Sequence, residues 1–146
     1  MYSLSVVLAL LVGAGLVVQV GFNMAISRAL GSAPAAALVN FLVGSLLLLL
    51  LVASLRPEWP TRAQLSSIPL WAWLGGGLGA AYVATATFTG PRLGALLLLA
   101  LTVAGQMLAS VIVDHYGLLG FAQQPVTATR LLGIALLVAG IFLVAR

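Results

Sequence analysis

Between Arg92 and Asp114 the chain carries no charged residue and is mostly Leu, Ala and Val. At 1.5 Å per residue that run crosses a hydrocarbon core of about 30 Å, so it predicts a membrane-spanning helix. Yet Thr102, Gln106, Ser110 and Asp114 recur every fourth residue, which keeps them on one helical face with a slow drift of about 40° per step. An unsatisfied polar group in hydrocarbon costs several kcal/mol, so a primary amide at mid-span needs a protein or water partner. Gln106 is therefore expected to face other helices or a wet cavity, and it is a candidate substrate contact.

The rest of the chain obeys the same solvent. Hydrophobic residues make up 63% and charged residues 5%, with a mean hydropathy of +1.24. These values place the chain among all-α integral membrane proteins. Its 146 residues leave room for five spans and short connections, with no soluble enzyme module beside them. The absence of cysteine excludes disulfides and thiolate metal sites. A net charge of +4 would suggest nucleic acid in a soluble chain. Here each arginine sits singly near a predicted helix end, which reads as anchoring to the lipid bilayer, with no nucleic-acid partner. The first segment lacks a basic start and runs too long for a signal peptide, so it is read as a span.

A single transmembrane domain with helices over about 3–28, 33–55, 70–89, 92–115 and 128–145 follows from the punctuation. Gly31-Ser32-Ala33-Pro34 combines a C-terminal glycine, a Ser N-cap and a first-turn proline. The segment RPEWPTRAQLSSIP from Arg56 to Pro69 is the longest polar connection. Thr61 can cap a short interfacial helix there, with Trp59 and Trp71 at headgroup depth. Gly90-Pro91 is expected to separate the third and fourth helices.

Polar residues inside the spans are the functional candidates. Gln19 and Asn23 stand one turn apart on the first helix, and Asn40 is the strongly polar residue inside the second. On the predicted spans all three lie on the Arg28 side of the midplane with Tyr82 and Thr85, a level that suggests a solvated cup lining a substrate pathway. Asp114 and His115 lie in the last turn of the fourth helix, near water, where Asp114 can form a structural ion pair with Arg130. Gly133 and Gly140, seven residues apart, are the candidate dimer interface. No catalytic, metal-ligating or cofactor-binding constellation is found. The single His has neither a nucleophile nor a second His to work with, and the Gly75–Gly79 cluster lies within a span without a following Lys, so the chain is not read as an enzyme.

Arg56, Arg62 and Arg130 fall on one face of this topology, and Arg28, Arg92 and Arg146 on the other. Orientation follows the excess of Lys and Arg in the cytoplasmic segments, so a zero excess leaves it undetermined and permits insertion both ways. An antiparallel homodimer would then form a ten-helix inverted-repeat bundle from one gene product.

The stretches WAWLGGGLGAAYV, GPRLGA, GQMLASVIVDHYGLLG and RLLGIALLVAGIFLV, together with GSAPAAALVNFLVG and Gln19-x3-Asn23, resemble the YdcZ family of five-helix bacterial inner-membrane proteins in the drug/metabolite transporter superfamily. The resemblance implies a multi-pass protein of the inner membrane, occurring as dual-orientation chains or as oppositely oriented pairs. GIALLVAGI is also similar to the last-helix dimerisation segment of small multidrug resistance transporters, which carries a dimer-contact role over to Gly133 and Gly140. The buried glutamate in the first helix of those transporters has no counterpart here; Gln19 and Asn23 occupy that level. The expected function is a dual-topology secondary transporter subunit that moves a small polar organic solute by alternating access without a cofactor. The alternative is a non-transporting membrane assembly subunit.

Overall fold

The computed structural model describes residues 2–55 and 59–145; Arg56, Glu58 and Arg146 lie outside them. All regular structure among the described residues is helical. The elements are α1 (Tyr2–Leu30), α2 (Ala33–Leu55), the short α3 (Arg62–Ser66), a 3-10 turn (Leu70–Trp73), α4 (Leu74–Tyr116), a second 3-10 turn (Leu118–Gly120) and α5 (Ala128–Val144). Three stretches are long and apolar enough to cross a membrane: Leu4–Leu30, Ala33–Leu55 and the 47-residue Leu70–Tyr116. The last has helix for roughly two crossings of a 30 Å core. The 17 residues of α5 amount to about 26 Å.

Two compact units divide the chain, Met1–Pro91 and Arg92–Arg146. In the first, α1 and α2 pack as a hairpin. Gly31 takes φ +67°, a conformation that costs glycine little. The Ser32 hydroxyl accepts the Ala35 N–H at 3.3 Å. Pro34 sits in the first turn of α2, where its missing N–H removes no helical bond. Phe41 of α2 reaches the first part of α4: its ring lies 3.4 Å from where a Cβ on Gly79 would stand. Short as it is, α3 carries a full capping box. The Thr61 N–H donates to Gln64 Oε1 at 2.8 Å, and the Gln64 N–H donates to Thr61 Oγ1 at 3.3 Å.

The interruption of α4 falls at Gly94, with φ 74° and ψ 162°, while Pro91 stands inside helical structure. The expected stop at Gly90-Pro91 is therefore displaced by three residues. Proline removes one N–H and crowds one carbonyl, defects a helix can survive. Gly94, by contrast, adopts angles that belong almost wholly to glycine, and no helix continues through them.

In the second unit, the loop between α4 and α5 is tied back onto the end of α4. The Gln124 N–H donates to the Asp114 carbonyl at 2.7 Å, Gln123 Nε2 donates to the His115 carbonyl at 3.0 Å, and the Val126 N–H donates to His115 Nδ1 at 3.4 Å. Thr127 then caps α5 by accepting the Arg130 N–H at 3.3 Å. These bonds satisfy polar groups that a helix end leaves open.

Candidate solute site

In the first unit, Asn23 is 1% exposed, and its Oδ1 is buried with no hydrogen-bond partner. Gln19, Asn40 and Tyr82 are half-buried. Among the described residues, none of the four side chains makes a hydrogen bond within the chain. Asn23 lies seven residues before the end of α1 and Asn40 seven residues after the start of α2. Both amides thus sit about 10 Å from the same turn. Thr87, also buried at 2%, differs in that its hydroxyl donates to the Val83 carbonyl at 2.7 Å. A threonine can return to its own backbone in this way, whereas the amide of Asn23 has found no partner.

The cup expected at this level is closed around Asn23. Cavities of about 340 and 260 Å³ do open in this unit, between α2 and the first part of α4, and they share Pro34 and Ala84. Their walls are mainly Ala37, Phe41, Ala80 and Phe88, with Thr85 as a polar side chain, and none of the four candidate side chains lines them. Sequence reasoning passed over this groove. Its signal was present in Ala33 and Ala37 facing Ala80 and Ala84: two pairs of small residues at a spacing of four leave space between helices.

The stripe on the second part of α4 resolves into different kinds of residue. Thr102 donates to the Leu98 carbonyl at 2.8 Å and Ser110 to the Met107 carbonyl at 3.0 Å, so both hydroxyls are satisfied by their own helix. Gln106 is exposed and has no such bond. It belongs to the second unit, whereas Gln19, Asn23, Asn40 and Tyr82 belong to the first.

Asp114 and Arg130 are brought together, with Nη1 3.4 Å from Oδ2 and side chains 29% and 37% exposed. Arg130 also donates to the Gln124 carbonyl at 3.4 Å and to the Gln124 side-chain oxygen. A cavity of about 230 Å³ lies against this pair, walled by Met107, Ser110 and Val111 from α4 and by Gly133 and Ile134 from α5. Among the described residues nothing outside the helix's own backbone lies within 4 Å of a Cβ placed on Gly133 or Gly140, so neither glycine serves a close contact with another described element. Among the described residues no group of three or more His, Asp or Glu could hold a metal ion.

Comparison with curated proteins and with solved structures gives no match. A family model described as "Putative inner membrane exporter, YdcZ" matches residues 4–143. That match covers all the long helices and both cavity systems, and it agrees with apolar helices of membrane-crossing length. The chain is a multi-pass protein of the inner membrane and belongs to the YdcZ family, whose description supports a transporter role.

Proposed function

We propose that the protein is one subunit of a secondary transporter that exports a small polar organic solute by alternating access. Five spans per chain assemble as an antiparallel homodimer, and Gln19, Asn23, Asn40 and Tyr82 contact the solute. The observation that carries this reading is the buried Asn23 Oδ1 without a donor. An amide kept only to hold helices together would make the bond that justifies its burial, since an unmade bond costs about 1–3 kcal/mol. A site that must release its ligand has reason to leave that bond open. The amides carry no fixed charge, so selection runs through hydrogen bonding and shape, with Tyr82 as an aromatic wall. Gln106 is assigned to the same pathway as a contact that becomes available only in the assembled dimer.

The antiparallel arrangement draws on the three-to-three arginine balance and on the two bare glycines of α5, where a helix of a second copy could approach closely. The test is a panel of polar solutes, screened by thermal stabilisation of the purified dimer and repeated on Asn23→Leu and Gln19→Leu. Each substitution should weaken solute binding about tenfold to a hundredfold. Asn23→Leu should also raise the melting temperature of the unliganded protein, because an apolar side chain replaces an unpaired buried amide. Retained binding combined with a lowered melting temperature would make these amides structural and place transport elsewhere.

A further inference from the structure

The cavity beside Asp114 and Arg130 is polar at one end and apolar at the other. Asp114 lies in the last turns of α4 and Arg130 in the first turn of α5, so the charged end stands where a span meets water. Met107 lies two turns deeper, and Val111 and Ile134 line the space between. The pair is not saturated by the chain. Oδ2 of Asp114 receives Arg130 while Oδ1 receives nothing, and the guanidinium's Nε–H is without a bond among the described residues. One open acceptor with negative charge thus sits beside one open donor with positive charge, next to a slot lined by Met107, Val111 and Ile134.

We propose that this groove holds a membrane phospholipid whose head carries both a primary ammonium and a phosphate. The ammonium donates to Asp114 Oδ1, the phosphate accepts from Arg130, and the start of an acyl chain lies along Val111, Ile134 and Met107. The charges select the head. A glycerol head brings a phosphate with no cation for Asp114, and its net negative charge meets that carboxylate unfavourably. A choline head brings a cation that has no N–H to donate. Ethanolamine-type lipid satisfies both residues.

The experiment uses the purified full chain in detergent. Phospholipids with identical acyl chains and ethanolamine, choline or glycerol heads are added, and bound lipid is counted by mass spectrometry alongside the thermal shift. The ethanolamine head should bind about tenfold more tightly than the choline head, the factor expected for one charge-assisted hydrogen bond at a half-exposed site. Asp114→Asn keeps the shape but removes the charge, and should erase that preference while leaving binding through the phosphate. Val111→Trp fills the slot without touching the ion pair and should reduce retention of all three lipids; it also serves if Asp114→Asn folds poorly. Equal affinity for the three heads, or an undiminished ethanolamine preference in Asp114→Asn, overturns the proposal. Equal binding of free phosphoethanolamine overturns it as well, by making the groove a site for a soluble molecule.

Discussion

Replacing Gly94 by alanine isolates a purely conformational cost. Among the described residues, and apart from its chain neighbours and its own helix's backbone, no atom lies within 4 Å of where the new Cβ would stand, so the substitution meets no tertiary neighbour. The whole penalty comes from holding an L-residue at φ 74° and ψ 162°, a region essentially reserved for glycine, at about 1–3 kcal/mol. For a chain of this size that corresponds to a fall in melting temperature of roughly 3–10 °C. The control is Gly13→Ala in the middle of α1, which is also free of neighbours within 4 Å but helical. Alanine there should gain about 0.5–1 kcal/mol of helix propensity. Melting followed by circular dichroism in detergent should therefore move in opposite directions for the two variants. If Gly94→Ala melts at or above the parent temperature, the chain does not hold Gly94 in this conformation and the placement of the helix break is wrong.

Two further outcomes bear on assembly. A reporter fused to the C-terminus should be found on both sides of the membrane, and one or two lysines added beside Arg28 should draw that face to the cytoplasm; a single orientation in the unmodified chain would exclude the antiparallel homodimer. Gly133→Leu and Gly140→Leu should each lower the dimer fraction in detergent while leaving the monomer inserted, because leucine blocks close approach yet favours the hydrocarbon; an unchanged dimer mass for both variants moves the interface off this face of α5.

Turns were readable from the residues because their chemistry is local. Gly31 and Ser32 stop one helix and start the next with bonds spanning three or four residues, and Thr61 with Gln64 closes a capping box within four. The helix break in α4 was misplaced because proline is the louder signal in sequence. The torsions that end the helix belong to Gly94, whose identity alone says only that they are permitted. Spacing picked out Gln19, Asn23 and Asn40 as polar residues within spans. Which amide would be closed off, and which would stay half-open, depends on what packs over it from a neighbouring helix, and no periodicity within one helix contains that information. The same holds for the cavity at Asp114 and Arg130. Its walls come from residues about twenty apart in the chain, among them the small Ser110 and Gly133.

Asn23 and Asn40 stand at equal arc length from the facing ends of α1 and α2, two helices joined by a short turn at the left-handed Gly31. Tilting that hairpin about its turn carries both amides through the same displacement, so the distance between them changes little while their height in the membrane changes together. A solute bridging the two would then travel with the hairpin as cargo on a lever, with no need to exchange one amide for the other partway.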